Sequence, residues 1–298
     1  MKVRFAVSPD RGWLSAVRLL DFAAAIEAAG FDGVWLPDLP GAPALDPLVG
    51  IAFLAGRTSR LRLGANVIPL GRQPFVLASQ LAQLDQISGG RLLLTFVTGV
   101  NQPGERAALG IDGATRGELL ERTLGISRDL WAGNAVDHSH AHLLESGLQL
   151  PILPFQEPLE VWLGGRGPKA LERAGRIADG WLGAQLTPLE ADRAREQIQL
   201  AAADAAREVD PEHFGVSIAY TRDEPDPELI RATRKRRPDI DPRQLIPVGA
   251  EALHSLVEQY IKAGLSKFVI RPGSRVDSWT AEAEWLAGAI LDLQTRHR

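Results

Sequence analysis

Short, near-continuous apolar runs recur along the chain, separated by longer stretches with a helical period. The runs fall at roughly 3–7 (VRFAV), 32–36 (DGVWL), 61–66 (LRLGAN), 92–97 (LLLTFV), 160–164 (EVWLG), 180–184 (GWLGA), 214–220 (FGVSIAY) and 266–271 (SKFVIR). Apolar runs of this length predict strands of a parallel sheet covered on both faces. Between the first two, Leu14, Val17, Leu20, Ala24 and Ala28 repeat at helix spacing and stop at Gly30, predicting a helix over 14–29. The same pattern predicts helices near 46–57, 74–88, 117–132, 168–178, 188–208, 250–263 and 278–295. In AAGFDGVW, RIADGWLG and KAGLSKFVI one phrase recurs: a helix ends at small residues and a strand starts.

Eight strand–helix pairs without a break in composition point to an α/β fold, a (β/α)8 TIM barrel with insertions, filling 1–298 as one domain. A doubly wound sheet is the rival, but it rarely stays this regular through eight strands. Two gaps, at about 133–158 and 221–249, exceed ordinary loop length. Long loops in compact domains serve as lids or binding elements, so both are read as barrel insertions.

Composition narrows the function classes. A net charge of −4 gives no overall attraction to nucleic acid or anionic membrane. Zero cysteines exclude disulfides, cysteine nucleophiles and thiolate metal sites. No apolar run reaches the roughly 18 residues of a membrane span. The first strand follows Met1-Lys2 directly, leaving no room for a signal peptide. A cytoplasmic protein without nucleic-acid or membrane partners is expected.

In a barrel of this kind the chemistry sits just beyond the C-terminal strand ends. Four ends carry small or polar residues. Gly164, Gly165, Arg166, Gly167 and Pro168 follow the fifth strand and open a helix. Backbone N–H groups and the helix N-terminus there suit a phosphate, with Arg166 and Lys169 adding charge; a plain tight turn is the alternative. The spacing matches neither the dinucleotide fingerprint nor the P-loop. Asp38 ends the second strand, as an acid/base, a ring contact or a loop ion-pair partner. Asn66 and Val67 end the third: the amide suits a heterocycle and the valine its face, or both are turn residues. Thr98, Gly99, Val100 and Asn101 follow the fourth.

Other signals are weaker. His138, His140 and His142 alternate, no nearby carboxylate completes a zinc or iron pattern, and no histidine falls at a strand C-terminus. No serine elbow is present. The basic run RATRKRRP (231–238) reads as a solvated insertion face that could attract an acidic cofactor tail.

The chain resembles the bacterial luciferase-like monooxygenases, which include the deazaflavin (F420)-dependent oxidoreductases. The resemblance rests on AAGFDGVWLPD (28–38), DPLVGIAFLAGRTSRLRLGANV (46–67), QPFVLASQLAQLDQISGGRLLLTFVTG (73–99), PLEVWLGGRGPKALERAGRIADGW (158–181) and YIKAGLSKFVIRPG (260–273). It implies a TIM barrel holding F420, or alternatively FMN, across its strand ends. It implies a non-prolyl cis peptide at Asn66-Val67, a bond costing about 3–4 kcal/mol. It places Asp38 at the ring and Gly164 to Gly167 at the cofactor phosphate. Leu39 and Val100 stand where the family's sugar-phosphate dehydrogenases carry a His and a Glu, so that substrate is disfavoured.

The opening MKVRFAVSP and the KFVIRPG ending resemble the F420 branch, and Arg72, Arg166, Lys169, Arg271 and Arg275 could meet an acidic oligoglutamate tail. The expected activity is hydride transfer to or from a small organic molecule, with a separate reductase or dehydrogenase as electron supplier. An FMN-dependent monooxygenase and a non-catalytic cofactor carrier are the alternatives. Trp13, Phe75 and the 133–158 insertion are expected to line the mouth, and a homodimer to form through the helices after strands two and three.

Overall fold

The computed structural model describes all residues except 11–14, 41, 43, 100–102, 112–114, 137–146 and 297–298. Eight strands, β1 (Arg4–Val7), β2 (Gly33–Leu36), β3 (Arg62–Val67), β4 (Leu92–Phe96), β5 (Val161–Gly164), β6 (Gly180–Ala184), β7 (Phe214–Tyr220) and β8 (Lys267–Pro272), close into a barrel in chain order. Every pairing is parallel, and β8 closes on β1 from Arg4↔Lys267 to Val7↔Ile270. The expected TIM barrel is therefore the observed fold. Around it run α1 (Ala16–Ala29), α2 (Pro47–Ala55), α3 (Pro74–Ser88), α4 (Pro103–Ala108), α5 (Arg116–Trp131), α6 (Pro168–Ile177), α7 (Pro188–Asp204), α8 (Pro227–Arg236), α9 (Ala250–Lys262) and α10 (Trp279–Arg296).

Helix starts are written locally. In α2, α3, α6, α7 and α8 a proline occupies the first turn, where its fixed φ fits and its missing N–H is not needed. Asp46, Gln73, Thr187 and Asp226 cap four of these with side-chain oxygens, and Thr187 forms a capping box with Glu190. The 221–249 stretch, read as an insertion, contains α8 and a 3-10 turn (Pro242–Gln244).

Each strand serves two environments. Its outward side chains, such as Val34, Leu63, Val67, Phe96 and Leu163, join the helices in the main core. Inward ones form a separate small cluster of Trp35, Leu182 and Val269 with Ala6, Leu93 and Trp162 against it. Trp35 lies flat against Gly64, where a Cβ would come within 2.0 Å of the indole. Trp162 lies likewise on Gly180, at 2.4 Å. Any side chain at Gly64 or Gly180 would evict an indole.

The SGGR turn (88–91) ties the N-terminal face together. Arg91 donates to the carbonyls of Ala55 (3.0 Å), Leu61 (3.2 Å) and Ser88 (2.6 Å) and to Thr58 Oγ1 (2.9 Å). Asp85, fully buried, accepts from both the backbone N–H and the side-chain amide of Gln156, each at 2.7 Å. Phe155 packs on Gly90, and Gln86 donates to Leu153 O at 2.9 Å. These contacts correct one expectation. The described part of the 133–158 insertion follows α5 and precedes β5, so it braces the N-terminal end and does not line the mouth. The residues His138, His140 and His142 lie outside the described residues, as does Trp13.

Replacing Asp85 strips the acceptor from two buried donors, and bonds to a charged group are worth about 1.5–3 kcal/mol each. Asp85→Ala should lower the unfolding free energy in urea by about 3 kcal/mol or more. A change below about 1 kcal/mol would mean that the insertion is not held by this residue.

Candidate active site at the C-terminal mouth

The barrel's two-residue period decides which residues reach the mouth. Asn66 faces inward: its Oδ1 accepts a hydrogen bond from Trp35 Nε1 at 3.0 Å, and no described residue accepts from its Nδ2. Val67, next in the strand, must then point the other way. It is fully buried in the outer core, so the expected press of its side chain on a ring is withdrawn. The expected cis peptide is withdrawn as well. The parallel ladder continues through Asn66↔Thr95 and Val67↔Phe96, and the cis bond among the described residues is Glu157-Pro158.

Thr95 was missed from sequence because it sits inside an apolar run, LLLTF. It is fully buried on the inner face beside Asn66, and its Oγ1 has no partner. Next around the barrel comes Gly164, where a Cβ would lie 2.7 Å from Val97 Cγ1 and 3.6 Å from Thr95 Cγ2. Asn66, Thr95 and Gly164 thus form a continuous inner band on β3, β4 and β5. Two polar groups with spare capacity stand beside a bare backbone.

The turn after β5 is exposed from Gly165 to Lys169. Gly165 has φ +124, which L side chains rarely adopt, and its carbonyl accepts from Trp181 Nε1 at 2.8 Å. Gly167 caps α6 without a side-chain hydrogen bond, and Pro168 follows it. The first turn of α6 therefore presents an uncapped N-terminus, suited to an anion. Arg166 Nη2 donates to Arg236 O at 3.0 Å, bringing the C-terminal end of α8 over this turn.

The basic run is not uniformly solvated, as its composition suggested. Arg231, Arg234, Lys235 and Arg236 are exposed, but Arg237 is buried. Arg237 pairs with Glu190 at 2.6 Å and Asp239 at 2.8 Å and donates to Gln185 O, anchoring the insertion to the barrel. Burial pushes the Glu190 carboxyl up, but the hydrogen bonds from Arg237 and Thr187 and the Arg237 charge together outweigh it and leave the group below its ordinary range.

Other walls are held by side chains from distant loops. Thr98 and Gly99 offer their carbonyls to Arg116 Nη1 on α5, both at 3.1 Å. Gly99 has φ +69, and a Cβ there would collide with Glu105 Oε1 at 1.9 Å. Asn101 and Val100 lie outside the described residues. Asp38 Oδ2 accepts from Ile68 N–H at 2.9 Å and from Arg72 Nη2 at 3.1 Å, and the same Nη2 reaches Asp46 at 2.8 Å. Arg72, expected to meet an acidic tail, is committed to these two carboxylates. Arg275 lines a groove between α1 and α10 instead of the mouth, and Phe75 packs against the main core.

Asp10 is a second residue the sequence reading passed over. SPD after β1 repeats the pattern of LPD after β2. Asp10 is buried, its Oδ2 accepts from Val276 N–H (2.8 Å) and Arg18 (3.2 Å), and its Oδ1 has no partner. No group of three or more metal-ligating side chains occurs among the described residues.

The luciferase-like monooxygenase family model matches residues 4–260, and the chain belongs to that family. A 5,10-methylenetetrahydromethanopterin reductase of Methanolobus tindarius is 30% identical over 205 residues, covering 67% of this chain and 60% of that protein. The solved structure of an F420-dependent secondary alcohol dehydrogenase with an F420-acetone adduct superposes with a TM-score of 0.79. It is 18% identical, covering 98% of this chain and 99% of that one. A monooxygenase from Streptomyces bottropensis superposes at 0.76 with 20% identity, covering 97% and 99%. Both structures are likenesses of fold.

Burial raises the Asp38 carboxyl above its ordinary value of 3.8, with the Ile68 N–H and Arg72 opposing it. The folded state then holds this proton more tightly than the unfolded one. Its contribution is fully present below pH 3.8 and falls as pH rises from there through the folded value. In urea titrations, the stability of wild type relative to Asp38→Asn should fall as pH rises through that window. A difference that grows with pH would reverse the assignment.

Proposed function

We propose that this chain is an F420-dependent oxidoreductase, with the deazaflavin seated across the ends of β3, β4 and β5. The inner band carries the reading: Thr95 Oγ1 is buried without a partner, and the backbone at Gly164 has no room for a Cβ. An unmet polar atom beside a bare glycine suits a flat heterocycle that brings its own hydrogen-bonding groups. The dehydrogenase whose fold this chain shares holds an F420-acetone adduct, which supports the same cofactor. A monooxygenase using FMN is the alternative, and the monooxygenase likeness supports that activity.

Asn66 would address the ring through its amide N–H groups, Thr95 through its hydroxyl, and the Thr98-Gly99 wall would bound it. Gly164, Gly165, Arg166, Gly167 and Pro168 would hold the phosphate by backbone donors and the helix N-terminus. When bound, F420 supplies hydride transfer at its ring, and the protein contributes position and exclusion of water. Asp38 acts on this reading as a positioning residue: it fixes the Ile68 backbone, directly after β3, and Arg72. The substrate is a small organic molecule, and a separate F420-reducing enzyme supplies electrons.

The rest of the reading concerns setting. The whole chain works as one barrel domain, in the cytoplasm, consistent with the lack of cysteine. Among the described residues no helix is long and apolar enough to cross a membrane. The chain acts as a homodimer through α2 and α3, where Val49 and Val76 are exposed at 60% and 50%. Light scattering should give about twice the 32.3 kDa chain mass, and Val49→Asp with Val76→Asp should return it to 32.3 kDa. A wild-type monomer overturns the pairing.

Fluorescence titration tests the cofactor. F420 should bind with a Kd of about 1 µM or tighter. Asn66→Ala should weaken it about tenfold, and Gly164→Val should abolish it while the fold persists by circular dichroism. FMN binding more tightly than F420, with oxygen uptake on supply of reduced FMN, would transfer the assignment to a monooxygenase.

A further inference from the structure

The barrel also opens at its other end. A cavity of about 890 Å³ enters at the N-terminal strand ends and runs up to the inner cluster of Trp35, Leu93, Trp162, Leu182 and Val269. Barrel interiors of this fold are normally filled by layers of large side chains. Here the inner positions Gly33, Gly64, Gly180 and Gly215 contribute none, and the two indoles lie back against Gly64 and Gly180. The space that remains is walled by aromatic faces and falls within the usual range for a small-molecule site.

Both signs of charge stand around the rim, with Glu27 and Asp32 among the cations of one side. On one side stand Lys267 of β8, Arg4 of β1 and Arg62 of β3. Arg4 is neutralised by Asp32 at 3.3 Å. Lys267 donates to Lys2 O (2.9 Å) and Ser266 Oγ (2.8 Å), with Glu212 3.9 Å away. Arg62 joins no ion pair among the described residues; its Nη1 donates to Gly90 O at 2.6 Å. On the opposite side Glu160 sits 3.7 Å from His213, whose ring lies 5.4 Å from that of Trp162. A cation with no carboxylate of its own thus lines the same cavity as the two indoles. The complementary ligand is a flat ring bearing one anionic group.

We infer that the N-terminal mouth of the barrel is a second small-molecule site, selective for an aromatic carboxylic acid. Its ring lies between Trp35 and Trp162, and its carboxylate meets Arg62. This site is separate from the cofactor seat. Trp35 forms part of the wall between them, lining the cavity with its ring and donating to Asn66 through Nε1.

The probe is 2-naphthoate, followed by calorimetry and by the indole N–H resonances of the full chain. Trp35→Phe and Trp162→Phe assign the two signals. Binding at one site per chain, with a Kd below about 1 mM and movement of both indole signals, is the expected result. The neutral 2-naphthylmethanol should bind about tenfold more weakly, and Arg62→Gln should lose the same factor for naphthoate only. The absence of binding, stationary Trp35 and Trp162 signals, or equal affinity for acid and alcohol would each overturn the proposal. Because the alcohol comparison uses the wild-type protein, misfolding of a variant cannot mask the outcome.

Discussion

The alternation of side chains along eight short parallel strands governs both ends of this molecule. In a closed barrel every second residue enters a confined interior, and its neighbours enter the helix layer. The outward set is uniformly apolar and carries the main core. That frees the inward set to be irregular. Along β3 it runs Arg62, Gly64, Asn66; along β5, from just before the strand, Glu160, Trp162, Gly164. Each series passes from a charged residue at the N-terminal rim, through one that shapes the interior, to one at the mouth. Shifting a strand by one residue would exchange these roles and destroy core and site together.

Position at the mouth is then refined by contacts that span loops. Asp38 and Asp46 hold Arg72, joining the β2 and β3 loops. Arg116 reaches back from α5 to the Thr98 and Gly99 carbonyls. Asp10 ties the β1 loop to Val276 and Arg18. These are charge-assisted contacts in partly dry surroundings, where they are stronger and more directional than at a free surface. Walls of this kind suit the proposed hydride transfer, to which the protein contributes geometry.

Fold and outline of the site were legible in the chain because their signals are local. Apolar runs marked the strands, X-Pro pairs marked helix starts, and small residues marked strand ends. The rest depended on partners far apart in sequence. Nothing in LLLTF distinguishes Thr95 from a core residue until Gly164 is brought beside it. Arg72 looked available because Asp38 and Asp46 are 34 and 26 residues away. The 133–158 stretch looked like a lid because length says nothing of which barrel end a loop occupies. Counting would have: it follows a helix, and loops after helices return to the N-terminal face. Val67 could have been excluded from the ring on the same arithmetic, once Asn66 was assigned inward.

The two ends of the barrel differ in what fills them, and Trp35 shows why they are not independent. Its ring needs the missing side chain of Gly64 to lie flat, and its Nε1 fixes the amide of Asn66. A larger residue at Gly64 would therefore disturb the proposed seat above as well as the cavity below. Trp162 and Gly180 repeat the arrangement across the barrel, where Trp162 pairs with Thr95 in register. The Asn66 amide at the mouth is thus supported from beneath by an indole resting on a glycine. The space under those indoles follows from the same choice. Glycines that let the tryptophans lie flat also leave the lower barrel open, so seat and cavity have a single physical origin.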